Sequence, residues 1–422
     1  MKESDHLDGS KALFQSKVVL YTDAIFKLEV FFAPVMVAFY LNYMHVSFSQ
    51  MSLFFSLVLI MTIILEVPCG TISDLMGRKK TFLIGKLIYL IAMVSIIFFH
   101  DFQFLIIIAF MFALGNSLSS ENLHSLVVEN LLSADVAQEE FFKIDTKANS
   151  IGFIVGGVAA VIGGYLGSIN LVIPLLVDIV LLALLIIVIL IIINDTKDYA
   201  QEGSIKDVLK SFKKFWSIIK EGTSIIINNK FILFIFVFGG ISFGVIRTGF
   251  NYYQPLLEEF SIDLAVFGWI LFSFNIVSAL SSYTASKVPK KSVNNFSFVF
   301  ITIGLMLVSG LILLFTNVSS VLIIIALGLH QIIRGFSNSY LSYSINKELP
   351  NNSDTRTTIL SAGSFIRALV ASILMSVSGY LTEFLGLSLG FALLSLLGTF
   401  IIVLSLIVYV NQNKNVRRSY NG

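Results

Sequence analysis

Long apolar runs separated by short polar breaks dominate this chain. They fall at residues 18–44, 51–73, 81–99, 102–130, 148–168, 171–193, 230–257, 264–286, 294–315, 318–345, 357–383 and 386–411. A membrane-spanning helix needs about 20 predominantly apolar residues. The pattern therefore predicts an all-α polytopic membrane protein with twelve transmembrane helices. One connection is long and polar. It divides the chain into a six-helix bundle over 1–193, a linker over 194–229, a second six-helix bundle over 230–411 and a tail over 412–422. Within the linker Ile205, Val208, Leu209, Phe212, Trp216 and Ile219 recur at helical spacing with lysines on the other face. That spacing predicts an amphipathic helix on the inner leaflet, the plainer alternative being a solvated linker.

Composition sharpens this picture. The chain has 422 residues, of which 56% are hydrophobic and 13% charged. A soluble domain carries roughly 25% charged residues. Thirty-nine phenylalanines cannot all be hidden in a water-soluble core of this size, so lipid must solvate most of the surface. The formal net charge of +2 gives no reason to expect a nucleic-acid partner. Cys69 is the only cysteine, which excludes an internal disulfide and a cysteine metal site.

The basic residues fix an orientation. Lys2, Lys11 and Lys17 precede the first run, and Arg78, Lys79 and Lys80 follow the second. Lys143 and Lys147, then the seven lysines between Lys197 and Lys230, then Lys287, Lys290 and Lys291, then Lys347 and Arg356, and finally Lys414, Arg417 and Arg418 mark every second connection thereafter. The alternate connections hold no Lys or Arg. This alternation places both termini in the cytoplasm, and the first run, charged and without a small-residue cleavage site, reads as a retained helix.

The runs differ in kind with a period of three. The first, fourth, seventh and tenth hold charges: Asp23, Lys27 and Glu29, then Glu121, then Arg247, then Arg334. The fifth, eighth and eleventh are rich in small residues, as at Gly152, Gly156 and Gly157 or Ser361, Gly363 and Ser364, which let helices approach closely. The others are aliphatic and aromatic, Lys86 and Asp178 being exceptions placed near helix ends. An inverted three-helix repeat used four times accounts for this, an arrangement typical of transporters.

Between the second and third runs lies the segment Gly70, Thr71, Ile72, Ser73, Asp74, Leu75, Met76, Gly77, Arg78, Lys79 and Lys80, with Glu66, Val67, Pro68 and Cys69 leading into it. It is no phosphate loop, which needs Lys and Ser or Thr directly after its second glycine. In this position it resembles the loop signature of the major facilitator superfamily, and in particular of bacterial drug–proton antiporters. The likeness extends to the six-plus-six layout, to Tyr252, Tyr253, Gln254 and Pro255, and to Ile345 through Pro350 followed by Arg356. Two features depart from those antiporters. The fourth run holds Glu121 and His124 but no arginine, and Gly157 stands where a proline is usual, with the pair Gly163 and Gly164 displaced.

The resemblance implies secondary transport by alternating access, with the first, fourth, seventh and tenth helices lining the cavity. It makes Gly70, Asp74, Gly77, Arg78 and Lys79 a cytoplasmic latch. Gly70 is expected at a close packing point, Asp74 at an opposing helix N-terminus, and Glu129 as the acid that pairs with Arg78. The plainer reading of the cations is a topological anchor. Glu29, Glu121, His124, Arg247 and Arg334 are the candidate substrate and proton groups. Placing a charge at the bilayer centre costs about 2.5–3.5 kcal/mol on insertion scales, so such groups mark function unless they pair off structurally. Asp23 and Lys27 are spaced for a local ion pair, His124 can be an ordinary helix histidine, and Arg367 is a candidate interface residue. Phe250, Tyr252 and Tyr253 can touch an amphipathic ligand or anchor the helix at an interface.

The leading expectation is proton-coupled export of hydrophobic or amphipathic compounds by a monomer in a bacterial cell membrane. It needs no cofactor or metal; the proton gradient supplies the energy. The alternative is a symporter importing a small organic anion held by Arg247 and Arg334.

Overall fold

The computed structural model describes residues 9–26, 29–120, 122–134, 136–193, 205–287, 296–315, 319–348 and 353–420. All regular structure among them is helical: α1 Gly9–Ile25, α2 Phe48–Met76, α3 Arg78–Phe98, α4 Phe102–Ser119, α5 Asn122–Leu132, α6 Gln138–Ile169, α7 Val172–Ile192, α8 Ile205–Asn228, α9 Lys230–Glu259, α10 Leu264–Ser286, α11 Ser297–Leu314, α12 Ser320–Glu348, α13 Ser353–Leu385 and α14 Leu387–Tyr420, with two short helical turns, Met36–Ala38 and Phe39–Tyr43, ahead of α2.

The spans start and stop where local chemistry dictates. The 21 residues of α7 rise about 31 Å, the thickness of a hydrocarbon core. Its Pro174 sits in the first turn, where a missing N–H costs nothing. The Asn229 side chain accepts from the Phe231 and Ile232 amides, each at 3.1 Å, and starts α9. Asp263 accepts from Ala265 at 2.9 Å and starts α10. Gly77, at φ 92°, lets the chain turn between α2 and α3.

Eleven helices among the described residues are long and apolar enough to cross a membrane. The first run, expected as one helix over 18–44, differs. Helix α1 ends at Ile25, residues 29–35 form turns, and a π-helical turn over Phe39–Tyr43 follows the short helix Met36–Ala38. Glu29 takes the left-handed conformation at φ 57°, and Pro34 brings no N–H to continue a helix. The turns are stitched by Ala33 N–H donating to Glu29 O at 2.8 Å and Val35 N–H to Phe32 O at 2.9 Å.

The chain forms two compact units, Met1–Phe39 with Met61–Lys214, and Tyr40–Ile60 with Phe215–Gly422. In the first, α1 packs on α5, α6 and α7, and α3 packs on α4, α5 and α7. The same scheme recurs in the second, where α9 packs on α12, α13 and α14, and α11 on α12 and α14. Residues 40–60 belong to the second unit through Ser56 Oγ donating to Ser372 O at 2.8 Å and Ser49 N–H to Glu383 at 3.2 Å.

Helix α8 is amphipathic as expected, but a different stripe is covered. Ser211, Phe215, Ile219, Gly222 and Ile226 are buried. Phe215 and Trp216 meet the Phe365 ring of α13 edge-on, each with centroids 5.8 Å apart. Leu209 and Trp216 of the expected stripe stay exposed, and residues 194–204 of the linker lie outside those described.

Small residues set the crossing of α3 and α4. A Cβ on Gly85 would sit 2.8 Å from Gly115 O, and one on Gly115 would sit 2.8 Å from Gly85 O. Neither contact can be relieved by a rotamer change, because the obstacle is backbone. Gly85→Val should lower stability by ~1–3 kcal/mol, read as a fall in the thermal unfolding temperature of the detergent-purified protein. An unchanged melting curve would refute the close crossing.

Candidate functional site

The turn after α2 gathers the cationic signature. Arg78 Nη2 lies 2.8 Å from Asp74 Oδ1, one helical turn back, and Arg78 Nε lies 3.3 Å from Glu129 Oε1 on α5. Arg78 Nη1 also donates to Ser73 Oγ at 3.1 Å, and Ser73 in turn bonds the side chain of Asn122. One guanidinium thus ties α2, α3 and α5 together, using the planar fork that lysine lacks. Lys79 Nζ donates to Leu190 O at 3.1 Å, placing a cation on the last carbonyls of α7. A Cβ on Gly70 would meet no heavy atom within 4 Å. Asp74 pairs with Arg78, one helical turn on.

Inside the first unit, polar groups converge on the break in the first span. The Asp178 carboxylate of α7 accepts from the amides of Phe32 at 2.8 Å and Phe31 at 3.4 Å. Tyr89 of α3 donates its hydroxyl to Glu29 Oε1 at 2.8 Å. Lys86, one turn before Tyr89, is buried, and Asp23 is the acid whose field reaches it. Lys27, the partner expected for Asp23, lies outside the described residues. On α6, Gly163 allows the segment to approach: a Cβ there would lie 2.0 Å from Phe31 O.

In the second unit, α9 and α12 face each other through a chain of hydrogen bonds. Arg334 Nη1 donates to Gln331 Oε1 at 3.0 Å, and Gln331 Nε2 donates to the Tyr253 hydroxyl at 2.9 Å. The Arg334 guanidinium lies 5.7 Å from the centre of the Phe250 ring, within cation–π range. His330 is fully buried, stacks on Phe391 at 4.9 Å and shares a 3.2 Å contact with Ser395 Oγ. Tyr252 bonds Thr382 Oγ1 at 2.6 Å. Thr248 Oγ1, Asn251 Nδ2 and His330 Nδ1 are buried without a partner. Tyr252 and Tyr253 are fully buried, so they are not interfacial anchors.

Of the remaining candidates, Glu121 lies outside the described residues. His124 pairs with Asp145 of α6 at 3.0 Å. Arg247 is exposed on α9, one turn before Phe250. Arg367 reaches Ser364 Oγ at 3.3 Å and keeps a buried Nε without a partner. Sequence reasoning passed over His330, Gln331, Thr248 and Asn251. Their signal was available as polar side chains inside apolar runs. Among the described residues, no group of three or more His, Cys, Asp or Glu could hold a metal ion.

The comparisons agree with this architecture. A family model of the Major Facilitator Superfamily matches residues 24–375. An uncharacterized MFS-type transporter, YxaM of Bacillus subtilis (strain 168), is 27% identical over 264 residues, 60% of this chain and 59% of that relative's length. Among solved structures, the nucleoside transporter NupG superposes with a TM-score of 0.70 at 13% identity, over 94% of this chain and 99% of that one. A POT family transporter in complex with a thioalcohol-conjugated peptide gives 0.65 at 16% identity, over 95% and 96%.

The Tyr253–Gln331 bond can be tested by a double-mutant cycle. Tyr253→Phe strands a buried Gln331 N–H, with an expected loss of ~1–3 kcal/mol in unfolding free energy. Adding Gln331→Leu removes the stranded group but also costs Arg334 its acceptor, so the double variant should lose less than the sum of the two single losses. Additive losses would show that the two side chains do not bond.

Proposed function

The chain belongs to the Major Facilitator Superfamily, and from that premise we propose that it is a secondary transporter working by alternating access, exporting hydrophobic or amphipathic compounds in exchange for protons. The chain is a multi-pass membrane protein of a transporter family; cargo, direction and coupling are the proposal. The observation that carries it is the set of groups between α9 and α12. Phe250, Phe274 and Phe391 pack around Tyr253, and the part-buried cation Arg334 lies over the Phe250 ring. Aromatic faces with few charges suit flat apolar cargo better than a polyhydroxylated solute. Asp23, Glu29 and Asp178 lie in the other unit, where a proton has acceptors. The nucleoside and peptide transporters share the fold at an identity too low to lend their cargo. The Asp74, Arg78 and Glu129 cluster serves as the cytoplasmic latch, in a bacterial cell membrane and as a monomer.

One observation favours a second reading. Arg334 is hydrogen-bonded to a neutral amide oxygen and pairs with no carboxylate among the described residues. A guanidinium held this way can bind an anionic cargo, which makes anion import with protons the alternative.

Purified protein in proteoliposomes, loaded with a pH-sensitive dye and challenged with cationic, neutral and anionic compounds, separates the two. Proton release evoked by cationic or neutral amphipaths supports export; proton entry that requires an anion supports import. Arg334→Gln decides further. A loss of about tenfold or more in affinity, ~1.4 kcal/mol, with an unchanged pH profile would overturn export. Retained affinity with an altered pH profile would support it.

The orientation has its own test. In a Cys69→Ser background, single cysteines replacing Ser47, Asn170 or Asn317 should react with an impermeant thiol reagent added outside intact cells. Cysteines replacing Ala200 or Asn415 should not. Outside labelling at Ala200 would overturn the cytoplasmic linker.

A further inference from the structure

Backbone groups at the depth of the hydrocarbon must be satisfied by the protein, because no water is there to do it. The first span breaks that rule's usual solution. It gives up continuous helical hydrogen bonding over 29–35 and places the amides of Phe31 and Phe32 on one buried side chain, Asp178. Asp178 is 3% exposed. Among the described residues its hydrogen-bond partners are these two neutral N–H groups, and no cation pairs with it.

This is an uncommon way to hold a buried carboxylate. A hydrogen bond to an ionised acceptor is roughly twice as strong as one between neutral groups. The charge on Asp178 is therefore what keeps the two amides in place. An ion-paired acid cannot be neutralised without stranding its cation, but among the described residues Asp178 has none to strand. One proton on the carboxylate weakens both amide bonds.

From the first span, Asp23 and Glu29 face this region, and the Glu29 carboxylate is close enough for its field to reach Asp178. Helix α3 contributes Lys86, within the field of Asp23, and Tyr89, whose hydroxyl holds Glu29 at 2.8 Å. Helix α6 contributes Gly163 and Gly167 against Phe31 and Val35, while its Tyr165 is exposed. Helix α7 carries no other titratable side chain. Lys27 lies outside the described residues.

We propose that Asp178 is a proton-binding site, and that a proton arriving there releases the Phe31 and Phe32 amides and so frees the interrupted part of the first span to change its backbone. The proton comes from water and rests on a carboxylate oxygen; no other covalent bond changes. The segment ends at Val35, just before the chain leaves one compact unit for the other at Phe39 and Tyr40. A backbone change there is delivered directly to the connection between the units. The proposal rests on the reading of the protein as proton-coupled and names the group that would carry the coupling.

Hydrogen–deuterium exchange tests it without any cargo. The full chain in lipid nanodiscs is exchanged at acid and alkaline pH, and peptides covering residues 29–39 are compared after division by the intrinsic chemical rate at each pH. In the wild type, protection of these amides should fall roughly tenfold on acidification, as expected when a local opening is linked to a proton. Asp178→Asn should abolish the pH dependence. Asp178→Glu and Glu29→Gln should each retain one. A flat wild-type profile, or an unaltered profile in Asp178→Asn, overturns the proposal. If Asp178→Asn does not fold, the wild type is labelled with dicyclohexylcarbodiimide, which attacks protonated carboxyls in apolar sites. An acid-dependent adduct on Asp178 supports the site, and an adduct on Glu29 alone overturns it. Absence of proton flux in proteoliposomes with a pH-dependent exchange profile would refute the coupling reading while leaving the site intact.

Discussion

Within the hydrocarbon core every backbone N–H and C=O must find its partner inside the chain, and the cost of failing is several kcal/mol per group. Helices meet this demand locally, and eleven spans among the described residues are long and apolar enough to do so. The first span does not, so its solution is imposed on its neighbours. Asp178 has to stand on α7 where its carboxylate reaches the Phe31 and Phe32 amides. Residue 163 on α6 has to be glycine, since any side chain would collide with the Phe31 carbonyl. Tyr89 on α3 has to hold Glu29, whose backbone is left-handed. One missing stretch of helix therefore fixes side chains on three other spans.

The interiors of the two units are charged in opposite ways. Three carboxylates and one lysine occupy the first: Asp23, Glu29, Asp178 and Lys86. In the second, Arg334 is satisfied by an amide and an aromatic ring. At about 2.5–3.5 kcal/mol per charge placed in a span, neither set persists for packing alone. Among the described residues Asp178 and Arg334 are held by neutral donors or acceptors. Neutral partners leave these two charges available to a proton or to cargo, whereas a closed ion pair would have to be broken first.

The spans were legible in the sequence because about 20 consecutive apolar residues have one physical outcome. The Arg78–Glu129 contact followed from similar reasoning, as a cation and an acid at the same ends of neighbouring spans. The interruption was not legible, although Lys27, Glu29 and Pro34 crowd the middle of the first run. Hydropathy sums composition over a window and takes no account of whether a helix can continue through it. Asp178 escaped for a different reason. Within its own helix it sits near one end, where an acid is unremarkable, and the amides it serves are 146 and 147 residues away.

Comparison of α1 with α9 shows why the break matters. The two helices hold corresponding places, each packed on the last three spans of its unit. Helix α9 runs unbroken for 30 residues although it contains Pro255 and two adjacent glycines. Its proline lies close to the C-terminal end, where a lost hydrogen bond and a local bend disturb little of the span. Its glycines are lined by Leu341 and Val370, which fill the space beside them. Pro34 stands in mid-run, and the backbone beside it depends on a side chain of another helix. The same packing scheme therefore holds a rigid element in one unit and a conditional one in the other. Side chains carry the chemistry of α9, while in the first span the backbone itself is exposed to it.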